Sequence, residues 1–187
     1  MEIPETPVTF SSETPQTNIV RPRHPAFDFF ETILLAVVLF IGINYISARI
    51  RVDGSSMEPT LSDREFVLVN RLVYQIGEPA RGDVVVFALP DNPDKEYIKR
   101  VIGVPGDRIV IGGREVTVNG DVLQEPYIAD DPTYTGSWTV PEGSLFVLGD
   151  NRNNSTDSHV WGPVSQEHVV GKAILIYWPP EKWQVVH

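Results

Sequence analysis

A mainly β domain behind a single N-terminal apolar helix is the fold class the sequence predicts, and three observations predict it. One run of uncharged, mostly apolar residues, 32–48, lies near the N-terminus. Beyond residue 50 the chain is a series of short β-branched runs separated by Gly-, Pro-, Asn- and Asp-rich turns. No segment in that part keeps a helical period. At 187 residues the chain has room for one domain and a small appendage.

The elements follow in order. Residues 1–26 hold five prolines and no apolar period, the composition of a disordered tail. Residues 27–48 read as a transmembrane anchor helix. The uncharged run inside it spans roughly 25 Å at about 1.5 Å per residue, and Phe29, Phe30 and Tyr45 extend it towards the interfaces. A cleaved leader is disfavoured, because the start is long and Ile46-Ser47-Ala48 puts a bulky residue at the first small position. A buried core helix is disfavoured by apolar residues on every face. Arg21 and Arg23 on one side balance Arg49 and Arg51 on the other, so charge gives no orientation.

Residues 49–187 then form the β domain. Its strand candidates are 66–74, 83–90, 97–104, 108–113, 114–123, 144–150 and 171–178. Asn119-Gly120 between two apolar runs marks a hairpin turn that needs φ > 0.

Composition removes several kinds of chemistry. A net charge of −10 leaves no electrostatic footprint for nucleic acid. With no cysteine there is no disulfide framework, thiolate nucleophile or zinc–cysteine site. The loop starting at Asp150 resembles a calcium loop in composition only. Arg152 stands at its third position, and its sixth and twelfth lack the required glycine and carboxylate. No metal or cofactor is expected.

The remaining nucleophiles are serines, which need a base. Of four histidines, His24 and His187 lie at the ends and His168 in a plain polar-to-strand transition; His159 sits in a polar-dense loop. Among the lysines, Lys95, Lys172 and Lys182 have surface contexts. Lys99 falls instead in an apolar run, sharing one strand face with Tyr97 and Val101, while Arg100 shares the other with Ile98 and Ile102. Strand pattern alone suits an edge strand whose charged side chain snorkels to water.

Four separated stretches change that reading: GSSMEPTL (54–61), RGDVVVF (81–87), YIKRVIGVPGD (97–107) and GDNRNNSTDSHVWGPV (149–164). In order and spacing, behind an N-terminal apolar helix, they resemble the boxes of type I signal peptidases across residues 29–178. These are membrane-anchored serine endopeptidases that remove signal peptides from exported preproteins. The resemblance implies an antiparallel β catalytic domain, Ser56 as nucleophile and Lys99 as general base. It implies Ser155 as the group orienting that lysine and Asp157 as a supporting carboxylate, organising Ser155, Arg100 or backbone. It makes Ile50, Val52 and Ile98 the lining of pockets for small residues of Ala-x-Ala-like sites. It also implies a lipid bilayer and preproteins as partners, with the tail cytoplasmic and the β domain on the outer (trans) side of the cell membrane.

Two positions depart from the best-known bacterial pattern. Gly54 replaces a serine whose hydroxyl serves the oxyanion, so the Ser56 N–H carries more of that task. His159 replaces an arginine, and the run His159-Val-Trp-Gly-Pro is similar to the cyanobacterial and thylakoidal branch. Met57 is expected at a lipid- or substrate-facing edge. The competing reading is an inactive membrane-tethered β domain acting as a binding scaffold, which has no reason to keep Ser56, Lys99, Ser155 and Asp157 together.

Overall fold

The computed structural model describes residues 25–187; residues 1–24 of the proposed disordered tail lie outside the described residues, and its last two, Pro25 and Ala26, open the first helix. Helix α1 runs Pro25–Ile46, and its segment Phe27–Ile46 is long and apolar enough to cross a membrane. At about 1.5 Å per residue its 20 residues span ~30 Å, the thickness of a hydrocarbon core. The helix ends two residues earlier than the sequence suggests, because Ser47 and Ala48 already belong to strand β1, Ser47–Arg51.

The rest is antiparallel β structure, as expected. The larger sheet runs β1, β2 (Phe66–Asn70), β11 (Val169–Trp178), β3 (Val84–Leu89), β4 (Asn92–Gly103), β9 (Ser144–Leu148) and β10 (Val164–Ser165), with β12 (Gln184–Val185) pairing β11. A smaller sheet orders β7 (Asp121–Val122), β6 (Glu115–Val118), β5 (Arg108–Gly112) and β8 (Gly136–Thr139). β3 lies inside the large sheet with Val84, Val85, Val86 and Phe87 all buried, so both of its faces are covered. That explains why Val84–Phe87 is an unbroken apolar run instead of an alternating one. The β6–β7 hairpin turns at Asn119 and Gly120, both at positive φ, as the Asn-Gly pair predicts.

Two local expectations fail. Residues 72–74 are not strand: β2 stops at Asn70, whose side-chain Oδ1 accepts from the N–H groups of Leu72 and Val73 and starts the four-residue helix α2, Val73–Ile76. A side chain that satisfies the backbone locally competes with the sheet ladder. Met57 is not at an edge. It is fully buried with Val52, Leu61, Val67, Ala173 and Ile176, because the loop folds back through a Leu61 N–H to Met57 carbonyl hydrogen bond. Met57 therefore pins the turn carrying Ser56 to the core from below.

Candidate active site

Two loops and one strand build the site. β4 carries Lys99 and Arg100 in register with β3 on one side and β9 on the other, Val85 opposite Lys99 and Leu148 opposite Arg100. Both cations are buried, at 4% and 1% exposure, so neither snorkels to water. They are satisfied differently. Arg100 makes a bidentate pair with Asp150, 2.8 Å from Nε to Oδ1 and 2.7 Å from Nη2 to Oδ2. Its Nη1 donates to the carbonyls of Gly82 and His187, and Tyr127 lies 4.0 Å over the guanidinium.

Lys99 has no carboxylate partner among the described residues. Its Nζ lies 2.6 Å from Ser56 Oγ and 3.0 Å from the Ile98 carbonyl. In the ammonium form Nζ donates to Ser56; in the neutral amine the Ser56 O–H donates to Nζ. Burial pulls the lysine pKa down to about 8, and the charges of Asp157 and Asp150 only partly oppose it. A serine hydroxyl against a lysine poised to lose its proton is an arrangement able to activate the hydroxyl as a nucleophile. Lys172 and Lys182, in contrast, pair with Asp83 and Glu65.

Opposite the dyad, the loop after β9 wraps the nucleophile turn. The Asn151 N–H donates to the Ser56 carbonyl, its side chain donates to the Ser55 carbonyl, and Asn154 donates to Ser55 Oγ. The loop is anchored by Arg100–Asp150 and by a second buried pair, Arg152 with Glu125 at 2.7 and 2.5 Å. Removing one partner of a buried ion pair leaves a charge uncompensated. Asp150→Ala is therefore expected to lower unfolding free energy by about 3–5 kcal/mol in a denaturant titration.

Asp157 is fully buried and accepts from the Gly149 N–H at 2.9 Å and from the His159 ring at 2.7 Å. Of the partners the resemblance offers for it, the geometry gives backbone, while Arg100 goes to Asp150. The cation beside Asp157 is His159 when protonated, its ring stacked on Tyr134 at 4.0 Å between centroids. Ser155 Oγ is buried without a hydrogen-bond partner among the described residues, so in this structure Lys99 is held by Ser56 and Ile98 and not by Ser155.

A cleft of about 710 Å³ opens over the dyad, lined among others by Ile50, Ser55, Ser56, Ile98, Lys99 and Asn154. Val52, expected beside Ile50, is 2% exposed and belongs to the core beneath. β1 ends at Arg51, and Val52 is drawn inward by paired backbone hydrogen bonds with Arg64 and Glu65. Gly54 sits at φ +92°, a conformation that a serine adopts only with strain. Its lack of a hydroxyl is thus matched to the backbone of the turn. The roles of Asp150 and Asn151 were missed from sequence, although both lie inside the GDNRNNS motif.

A mainly β fold thus brings a serine and a buried lysine into contact beneath an open cleft. The family model described as "Signal peptidase, peptidase S26" matches residues 26–178, and the chain belongs to that family. It is 41% identical to "Signal peptidase I" of Leptolyngbya laminosa over 184 residues, covering 90% of this chain and 91% of the relative. It is 40% identical to "Probable signal peptidase I-2" of Synechocystis sp. over 174 residues, covering 89% and 80%. "Signal peptidase I S" of Bacillus subtilis is 36% identical over 174 residues, covering 86% and 93%. A crystal structure of a signal peptidase I from Enterococcus faecalis V583 shares 34% identity, with a TM-score of 0.47 over 51% of this chain and 97% of that one.

Proposed function

We propose that this chain is a membrane-anchored serine endopeptidase that cleaves signal peptides from exported preproteins after Ala-x-Ala-like sites, using a Ser56–Lys99 dyad. The observation that carries the reading is the 2.6 Å contact between Ser56 Oγ and a Lys99 amine whose pKa is lowered by burial. Ile50 and Ile98 on the cleft wall offer apolar surface to the small side chains of such sites. Phe27–Ile46 anchors the chain in the bilayer, with residues 1–26 in the cytoplasm and the β domain on the outer (trans) side. Anchoring restricts enzyme and membrane-inserted substrate to one surface, which raises their effective concentration.

The steps balance as acyl transfer. Neutral Lys99 takes the proton of Ser56 as Oγ attacks the scissile carbonyl carbon, and the carbonyl π electrons move to oxygen. The Ser56 N–H, which donates to no protein acceptor among the described residues, is the donor available to that oxyanion. Collapse breaks the C–N bond, and Lys99 passes its proton to the departing amine. Lys99, neutral again, then takes a proton from water as its oxygen attacks the Ser56 ester. Return of that proton to Ser56 Oγ releases the signal peptide's carboxyl end. Ser155, the group the resemblance gives for orienting Lys99, is buried beside Gly149 with no hydrogen-bond partner among the described residues.

The pH dependence has a definite sign. Lys99 acts as base only when deprotonated, and its pKa is near 8. The kcat/KM of the free enzyme is therefore expected to rise about tenfold per pH unit below that value and to level off above it. The direct test of the reading is cleavage of an Ala-x-Ala preprotein in detergent, with the new N-terminus located by mass spectrometry. Wild type should cut after the second alanine and Ser56→Ala should not. Cleavage by Ser56→Ala at the wild-type rate would contradict the assignment.

A further inference from the structure

We propose that Asn151 builds the oxyanion hole from behind, by orienting and polarising the Ser55–Ser56 peptide, a role that rests on the peptidase reading above. Gly54 supplies no side-chain donor, so the Ser56 N–H has to stabilise the oxyanion from this turn. A trans peptide is planar, with its C=O and N–H pointing in opposite directions. The direction of the Ser56 N–H is thus fixed by whatever holds the Ser55 carbonyl.

Two donors hold it: the Asn151 side-chain amide at 3.1 Å and the Glu58 N–H at 3.2 Å. The Asn151 N–H also holds the next carbonyl, that of Ser56, at 3.1 Å. One residue therefore grips the peptide planes on both sides of the nucleophile. Turning the Ser56 N–H away from the cleft would break the two bonds to the Ser55 carbonyl. Donation into a peptide carbonyl also draws electron density from the peptide nitrogen, and bonds in such a chain strengthen one another. The far N–H becomes a stronger donor to an oxyanion.

Asn151 is itself rigidly placed. It is flanked by Asp150, tied to Arg100, and by Arg152, tied to Glu125, and its own carbonyl accepts from the Asn154 N–H. The asparagine touches peptide backbone and not the scissile bond, so it is a positioning residue. The preorganisation it supplies belongs to the transition state, where the negative charge appears.

The test uses Asn151→Ala and Asn151→Leu, the second keeping the side chain's bulk without donor or charge, each checked for folding by thermal unfolding. With an Ala-x-Ala preprotein, kcat is expected to fall about 10- to 100-fold while KM stays within about twofold. The pH midpoint of kcat/KM should stay at the wild-type value, because Lys99 is untouched. A peptide aldehyde that forms a hemiacetal on Ser56 should weaken in step with kcat/KM, as a transition-state mimic does. Asn153→Ala is the control: it removes hydrogen bonds from the same loop to Thr133 and Asp131 without touching Ser55, and kcat should remain within about threefold.

Three results overturn the inference while leaving the peptidase reading intact: both Asn151 variants within about threefold of wild type in kcat, a loss confined to KM, or a displaced pH midpoint. Failure of wild type to cleave overturns the peptidase reading and this inference with it.

Discussion

Lys99→Arg is expected to lower kcat by about 10²–10⁴-fold, as completely as Lys99→Ala, the range that loss of a general base produces. The two side chains have the same charge and similar length, so an electrostatic or packing role would survive the exchange in part. A base would not survive it, because guanidinium does not give up its proton in a protein. The surroundings sharpen the contrast. At 4% exposure Lys99 has no carboxylate partner among the described residues, and its Nζ is aimed at Ser56 Oγ. Arg100 beside it shows what a buried cation needs when it is to stay charged: a bidentate carboxylate and two carbonyls. Substantial activity in the arginine variant would remove the base role. The adjacent serines separate in the same assay. Ser55 Oγ accepts from Asn154 and makes no contact with Lys99, so Ser55→Ala should lose less than about tenfold while Ser56→Ala is inactive.

Gly149→Ala is expected to produce the second large effect, on stability and activity together. A Cβ at Gly149 would lie 2.3 Å from Ser155 Oγ and 2.4 Å from the Ser56 carbonyl oxygen. The second neighbour is backbone and has no rotamer to escape into. The turn carrying the nucleophile has to move, or the loop after β9 has to withdraw and weaken the Gly149 N–H bond to Asp157. Overpacking of this kind costs about 1–3 kcal/mol, and displacing a reacting group by about 1 Å costs about 10²-fold in rate. Denaturant melts and kcat on the same preparation should show both losses. Gly112→Ala, where a Cβ meets nothing within 4 Å and φ is not positive, should change neither.

Much of this was legible in the chain, for reasons that differ by element. Asn119-Gly120 announces its hairpin because its chemistry is local. The run Val84–Phe87 announces a strand covered on both faces. The break at Asn70 was not legible, since only the folded loop shows its side chain capping the next turn. Met57 was misplaced for the opposite reason: a methionine in a Gly-Ser loop looks exposed until the loop is seen folding back over the core. The pairing of Ser56 with Lys99 came from the resemblance of whole motifs. Strand periodicity alone favoured a surface lysine, and what buries Lys99 is its position between β3 and β9. Arg100–Asp150 and the grip of Asn151 on Ser55 and Ser56 join residues 50 to 96 positions apart. Nothing in either local sequence announces its partner.

The central claim is that burial brings Lys99 to a pKa near 8, so that its neutral amine is available to Ser56. It is tested most directly by NMR titration of lysine side chains labelled with ¹³C and ¹⁵N at the ε and ζ positions, in the full chain in detergent, with Lys99→Arg used to assign the resonance. The structure predicts one lysine titrating near pH 8, absent from the variant spectrum. A Lys99 resonance that stays protonated up to the ordinary lysine range would contradict the dyad.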